Sequence, residues 1–478
     1  MLTQSRIRGP VRQVILLAHS YFLKQDAKQH ARMKPYSPLS TLLLASLLRR
    51  NGHEVALFDA TFADGVQEFE GALDRTRPSV VMVMEDNFNF LTKMCTTGRR
   101  ESALAMIAAA QARGCRVAVN GPDVADNPAV YLAAGADAVA LGEGEQTLAE
   151  LAALWEHGSG PTDAVAGLVL PGPGRLVSTR PRGPIHDLDA LPLPAWDLLD
   201  VAAYRHAWTG AHGELSWNMA SSRGCPYACN WCAKPTFGRR YTSRSPADVA
   251  HELELLKAEV APDHIWFTDD IFALDAQWAA DFADAVDRTG CRTPFTMQSR
   301  VNLMTGRMAQ ALARAGAREV WVGVESGSQK VLDAMDKGST VQAAREATRT
   351  LKAHGIRACW FIQLGYPSET WEDLVSTRDL IRDEAPDEIG VSVAYPLPGT
   401  GFHDKVHAQL GRQRNWKHTG ELAMLFQGTY TTDLYRKVRD ILHAEVEAAA
   451  CDDDAWVRLE EEACFHRSPD PFRLSLGA

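Results

Sequence analysis

Three of the nine cysteines of this chain stand in one short loop, Ser221-Ser222-Arg223-Gly224-Cys225-Pro226-Tyr227-Ala228-Cys229-Asn230-Trp231-Cys232, spaced C-x3-C-x2-C. Thiolates are soft ligands that suit zinc, copper(I) or iron–sulfur clusters. A structural zinc site is normally closed by four ligands. Here no fourth cysteine or histidine stands close by, and His212 and His251 are the nearest histidines. Three ligands on a four-iron cluster would leave one iron open to bind a substrate. A zinc knuckle, or three reduced thiols, are the plainer readings of the same residues.

The flanking elements say where such a loop sits. Leu215 to Ala220 is apolar and reads as a strand. Ser245-Pro246-Ala247-Asp248 reads as a helix start, since serine can cap an orphan amide and proline at the first helical position loses no needed donor. Strand and helix then alternate five more times. The expected strands are His264–Thr268, Phe295–Met297, Glu319–Val324, Arg357–Leu364 and Glu388–Val393. Each runs into a polar cluster: Asp269-Asp270, Gln298-Ser299-Arg300, Glu325-Ser326-Gly327-Ser328, Gly365-Tyr366-Pro367-Ser368-Glu369 and Tyr395-Pro396-Leu397-Pro398. Six β/α units are two short of a full TIM barrel, a fold whose active sites are built at the carboxyl ends of the strands. The cysteines therefore belong to a catalytic mouth. Lys234, Arg239, Arg240 and Arg244 follow them, either to anchor an anionic substrate or as a solvated face.

The first third also alternates. Strands are expected at Val14–Ala18, His53–Asp59, Ser79–Met84, Cys115–Asn120 and Asp137–Leu141, with helices at Pro38–Arg50, Glu101–Arg113 and Glu145–Trp155. This is the pattern of a parallel sheet covered on both faces, with ligands beyond the strand ends. Glycine and proline breaks, Gly158-Ser159-Gly160-Pro161 and Pro171-Gly172-Pro173-Gly174, lead to Leu191-Pro192-Leu193-Pro194 and read as a linker. After residue 400, Asp433–Ala450 reads as an amphipathic helix, and Trp416, Phe426 and Tyr430 either line a pocket or pack.

Composition narrows the function. At 46% hydrophobic and 23% charged, the chain matches a soluble globular protein. No apolar run is long enough to span a membrane. An odd number of cysteines, behind a start lacking an apolar secretory core, points to the reducing cytoplasm. A net charge of −10 disfavours broad nucleic-acid binding.

With Trp231 just before its last cysteine, the loop resembles the radical S-adenosylmethionine (radical SAM) signature. Gly323-Val324-Glu325-Ser326-Gly327-Ser328-Gln329, followed by Leu332, Met335 and Lys337-Gly338, resembles the fourth-strand region of the cobalamin-dependent group of that family. That group includes the anaerobic Mg-protoporphyrin ester cyclase and many C- and P-methyltransferases. Gly365-Tyr366-Pro367-Ser368-Glu369-Thr370 resembles its fifth-strand turn. In the first third, Lys34-Pro35-Tyr36-Ser37-Pro38-Leu39, Glu85-Asp86-Asn87-Phe88-Asn89, Asn120-Gly121-Pro122-Asp123 and Gly142-Glu143-Gly144-Glu145 resemble, in that order, its cobalamin-binding domain. Two departures stand out. Asn120 and Asp123 replace the usual glycine and histidine, and Asp59-Ala60-Thr61 lacks the histidine of classical cobalamin enzymes.

The resemblance implies an α/β chain of four parts. A Rossmann-like cobalamin-binding domain (1–160) is followed by a Pro/Gly-rich linker (161–214), a partial (β/α)6 radical SAM barrel (215–400) and a mainly helical, substrate-covering region (401–478). It implies that Cys225, Cys229 and Cys232 hold a 4Fe-4S cluster and form the catalytic centre. S-adenosylmethionine would meet Trp231, Asp269, Asp270, Gln298, Arg300, Glu325, Ser326 and Tyr366. Within that set, Arg300 would pair with the carboxylate and Asp269 and Asp270 with the amine. Cobalamin would meet Tyr36, Ser37, Leu39, Asn87, Asn89, Gly121, Pro122, Glu143 and Gly144. The implied activity is transfer of a methyl group from methylcobalamin to an unactivated carbon, or phosphorus, of a small metabolite through a 5′-deoxyadenosyl radical. Flavodoxin or ferredoxin would be the electron donor. A non-methylating cyclase or ring-rearranging enzyme is the alternative, and a non-enzymatic cobalamin- or zinc-binding protein the third.

Overall fold

A computed structural model describes residues 14–89, 94–157, 160–232 and 236–465. Lys234 and the Gly158-Ser159 break lie outside the described residues. The chain forms two compact units, one of residues 38–185 and 190–203 with the segment before residue 32, the other of residues 32–37, 186–189 and everything from Tyr204 on.

The first unit is built on a seven-stranded sheet of β1 (Val14–Ala18), β2 (Glu54–Phe58), β3 (Val80–Met84), β4 (Arg116–Asn120), β5 (Ala138–Ala140), β6 (Leu168–Gly172) and β7 (Arg175–Ser178), in the order β2-β1-β3-β4-β5-β6-β7. The five strands from β2 to β5 are parallel. Their apolar runs are buried on both sides, as helices on both faces require. Leu16, Val81 and Val117 face one core with Phe69, Met106 and Ile107. Leu17, Met82 and Ala118 face the other with Leu44, Leu48, Leu148 and Leu151. The order reverses between β1 and β3, the kind of switch point where such sheets bind ligands.

The segment expected as a linker is largely ordered structure. β6 pairs antiparallel with β5 and then with β7, so residues 168–178 extend the first sheet. The Pro173-Gly174 pair is the hairpin turn, with Gly174 at φ +71°. Val165, Leu168 and Leu170 fill the second core. In the second run that read as a break, Pro171 and Gly172 end β6 and only Pro173-Gly174 turn the hairpin. Further on, helix Val201–His212 buries Tyr204 and Trp208 in the second unit.

That unit holds six parallel strands in sequence order: β8 (Ser216–Met219), β11 (His264–Phe267), β12 (Phe295–Arg300), β13 (Ala317–Glu325), β14 (Arg357–Leu364) and β15 (Glu388–Val393). This is the expected partial barrel. Alternation sorts its side chains. Phe267 and Phe295 pack on Phe282 of helix Ala276–Thr289, and Trp360 donates to Thr348 of helix Val341–Ala353 at 3.0 Å. The opposite face carries polar and aromatic rows. At its base Ser216, His264, Thr296 and Glu319 form one hydrogen-bonded chain across four strands, at 2.8, 2.9 and 2.9 Å. Burial pushes the His264 imidazole down to about 3, so this histidine is neutral and structural. Above that row Trp321 lies 4.9 Å from Phe361, and above them are the strand ends.

The tail is helical, with Gly401–Val406, Thr432–Ala448 and Asp453–Phe465. Trp416 and Phe426 pack: the Trp416 indole donates to the Ala423 carbonyl, and Phe426 meets Phe402 edge-on at 5.2 Å. Among the described residues no helix is long and apolar enough to cross a membrane.

Candidate active site

The cysteine loop leaves β8 and is clamped at its base. β9 (Ser222–Arg223) pairs antiparallel with β10 (Thr242–Ser243), closing the loop between them. Gly224 makes the turn at φ +79°, where a Cβ would stand 1.9 Å from the Arg240 carbonyl oxygen, so only glycine fits. Cys225 and Cys229 are buried and Cys232 half-buried, all three as unbridged thiols. Asn230 ties the loop to the barrel. Its amide nitrogens donate to the Met335 carbonyl (3.0 Å), the Ala334 carbonyl (2.9 Å) and Asp336 (2.8 Å), and its side-chain oxygen accepts from Tyr366 at 2.8 Å.

Asp269, at the end of β11, turns its carboxylate onto the root of the loop. It accepts from the Ser221 amide and hydroxyl, the latter at 2.6 Å, and from the Ser222 hydroxyl. Burial holds its carboxyl up at about 6 despite those donors. Asp269 thus clasps the loop, while Asp270 is half-buried beside it. Gln298 donates to the Asp269 carbonyl at 2.6 Å.

On β13 the register shifts between Gly323 and Glu325, and Glu325 sits at φ +67°, an uncommon position for a non-glycine residue. The irregularity aims its carboxylate at Lys337, 2.6 Å away, and both side chains are buried. Gly323 makes room for this pair, since a Cβ there would lie 2.5 Å from both Glu325 and Lys337. The Lys337 ammonium also stands 5.8 Å from the centre of the Trp231 ring. Ser326 accepts from the Ser328 amide within its own turn and bonds to Thr377 of helix Trp371–Glu384. Tyr366 donates to Asn230 and to the Ala334 carbonyl, and burial raises its phenol to about 12.

Arg300, at the end of β12, is held by several groups of the protein itself. Its guanidinium lies over the Tyr227 ring at 3.9 Å and donates to Cys229 Sγ at 3.2 Å, to the Lys337 carbonyl and to Asn302. Arg244 is an anchor within the fold, bonded to Asp248, Glu252 and the Ala220 carbonyl. Arg239 and Arg240 are exposed. Trp231 Nε1 on the cysteine loop, and Ser299 Oγ and Gln363 Oε1 near the strand ends, are buried polar atoms with no hydrogen-bond partner among the described residues. Such orphans are rare in folded proteins. With three thiols on one loop beside them, they fit a mouth that takes a cluster and a polar ligand.

In the first unit, the ends of β3, β4 and β5 form a second constellation. Asn87 donates to Asn120 at 3.0 Å, and Asn120 to the Ala140 and Gly142 carbonyls. Gly121 and Gly144 leave a cradle that larger residues would fill: a Cβ would stand 2.7 Å from Glu85 and 2.5 Å from Asn120 respectively. Asn120, in place of the family's glycine, is the strut of this cradle. Asp123, in place of its histidine, accepts from Arg100 at 2.7 Å and from Tyr131 at 2.6 Å. Pro122 opens a short buried helix, Asn89 closes the β3 turn onto the Asp86 carbonyl, and Glu143 accepts from the Ile185 amide. Leu39 begins helix Leu39–Arg50. Tyr36 and Ser37 belong to the second unit. Ser37 exchanges three hydrogen bonds with Asn218 of β8, and Tyr36 lies 6.3 Å from Trp266.

Asn218, Tyr227, Asn230 and the role of Lys337 went unread in the sequence. Their partners are remote along the chain, and a lysine or asparagine carries no periodic signal.

Residues 219–381 match the radical SAM superfamily and residues 33–152 the B12 binding domain. An uncharacterized methyltransferase of Pyrococcus horikoshii is 30% identical over 387 residues, which is 80% of this chain and 81% of that protein. The anaerobic magnesium-protoporphyrin IX monomethyl ester cyclase of Rubrivivax gelatinosus is 28% identical over 267 residues, covering 55% of this chain and 47% of the cyclase. In fold, the chain is similar to the radical S-adenosylmethionine methyltransferase TsrM of Kitasatospora setae, solved with cobalamin and a 4Fe-4S cluster bound. The TM-score is 0.68 at 20% identity, over 83% of this chain and 75% of that one. Two domain matches in this order, and a relative aligned over most of both chains, make this protein a member of the cobalamin-dependent radical SAM enzymes, whose cofactors are a 4Fe-4S cluster, S-adenosylmethionine and cobalamin.

Proposed function

We infer that this enzyme is a methyltransferase acting on a carbon or phosphorus atom of a small metabolite. The relative aligned over most of its length is a methyltransferase by name, and that observation carries the reading. The bound cofactors supply a reducing electron, an adenosyl radical and a methyl group. The chain's own residues hold and orient them. Cys225, Cys229 and Cys232 would ligate the cluster, with Asp269, Asn230 and the β9–β10 clamp fixing the loop. Trp231, Asp270, Gln298, Glu325, Ser326 and Tyr366 line the strand ends that would take S-adenosylmethionine. Asn87, Asn89, Gly121, Pro122, Glu143 and Gly144, with Leu39, would hold cobalamin on the first unit. The electron donor would be a cytoplasmic flavodoxin or ferredoxin.

The test is product analysis after anaerobic reconstitution with cobalamin, S-adenosylmethionine, a reductant and candidate metabolites. Methyl transfer predicts 5′-deoxyadenosine and S-adenosylhomocysteine in comparable amounts. Deoxyadenosine alone would favour the non-methylating reading, an oxidative cyclisation or ring rearrangement. The similarity to the cyclase keeps that reading in view, although the match covers less than half of that protein.

A further inference from the structure

The Arg300 side chain is held on several sides. Its Nε donates to Asn302 at 3.2 Å, one terminal nitrogen donates to the Lys337 carbonyl, and its plane lies 3.9 Å over the Tyr227 ring. A guanidinium carries its donors in a rigid planar fork. With two arms and one face held, the remaining nitrogen, Nη1, is aimed at Cys229 Sγ, 3.2 Å away. The group is buried, so water does little to screen its charge.

We propose that Arg300 is a positioning residue that raises the reduction potential of the cluster, through a charge-assisted N–H···S bond to Cys229. This rests on the reading that Cys225, Cys229 and Cys232 hold that cluster. Hydrogen bonds to the sulfurs and net local charge are principal determinants of iron–sulfur potentials. A reduced cluster carries one more negative charge than the oxidised one, so a fixed cation beside a ligand sulfur favours reduction. Three of the five N–H groups are committed to Asn302, Lys337 and Cys229, which fixes the plane of the fork with one donor on the sulfur. That fixed donor is what acts on the cluster.

The experiment is a spectroscopic redox titration of the reconstituted full chain without S-adenosylmethionine. Arg300→Met and Arg300→Gln, loaded with wild-type amounts of iron, should have a lower midpoint than wild type. At the wild-type midpoint their reduced-to-oxidised ratio should fall several-fold, a tenfold fall being about 59 mV for a one-electron couple. Asn302→Ala, at an exposed position that touches no thiol, should give a smaller shift in the same direction. An unchanged midpoint in a fully loaded Arg300 variant overturns the proposal. A change only in S-adenosylmethionine binding, with the midpoint unmoved, also overturns it, in favour of carboxylate pairing. Should the Arg300 variants fail to retain iron, the Asn302→Ala midpoint decides. A wild-type chain that binds no iron would instead remove the cluster reading itself, a result distinct from an unmoved midpoint.

Discussion

Glu325 and Lys337 show how much one residue's chemistry depends on its surroundings. Each is charged, buried and bonded to the other at 2.6 Å. Removing one partner of a buried pair leaves the other charge uncompensated, typically at a cost of about 3–5 kcal/mol. Lys337→Met should therefore destabilise the second unit by roughly that amount, seen as a lower urea midpoint for its transition. Glu325→Gln combined with Lys337→Met should recover part of the loss, because no buried carboxylate is then left alone. A double variant as unstable as the sum of the two single ones would contradict this account of the pair. Glu325 and Ser326 were legible as site candidates because they follow an apolar strand. The lysine that holds Glu325 was not, since it lies twelve positions on, past a helix.

At the scale of elements, the turn after β14 is braced from behind by the tail. Glu369 is fully buried and accepts from the Gly365 amide at 2.6 Å, while Tyr435 of helix Thr432–Ala448 lies close to that turn. Burial raises the Glu369 carboxyl to about 8, well above its usual value, so it is largely neutral near pH 7. An acid whose folded value is raised contributes stability that is complete below its unfolded value, near 4.5. That contribution is lost as pH rises through the folded value, near 8. Glu369→Gln keeps an acceptor for Gly365 and cannot ionise. Relative to this variant, wild type should lose about 2–3 kcal/mol of stability between pH 6 and pH 9, at 1.36 kcal/mol per unit. Parallel thermal melts of the two proteins at the two pH values check this, and melts that track each other would refute it. The parallel strands of both units and about half of the helices were legible from apolar periodicity, several strands to the residue, while the hairpin β6–β7 was not. That the strand β12 runs on through Gln298, Ser299 and Arg300 was not. Those polar residues read as a loop because the sequence does not reveal that the second face of the strand looks into a polar mouth.

At the scale of the whole molecule, the chain does not divide at residue 160. The hairpin β6–β7 completes the first sheet, and Val165, Leu168 and Leu170 belong to its core. A fragment ending at residue 160 would bare the edge of β5 and open that core. It should aggregate or bind a hydrophobic dye, while the full chain does neither. Edge exposure of this kind is a known route to association. A soluble, cooperatively melting 1–160 fragment would show that the hairpin is dispensable.

The order of strands, the cysteine spacing and the polar residues at the strand ends are local properties, written in period-two and period-3.6 patterns and in motif spacing. From these the sequence by itself determined two α/β units, a partial barrel and a thiol loop at its mouth. The tertiary structure decided which side chain meets which. Arg300 lies on Cys229, Asp269 on Ser221 and Ser222, Lys337 on Glu325, and Asn218 on Ser37. These partners are separated by many residues and joined by short-range, directional bonds, so their pairing exists only once the sheets have brought the strand ends together.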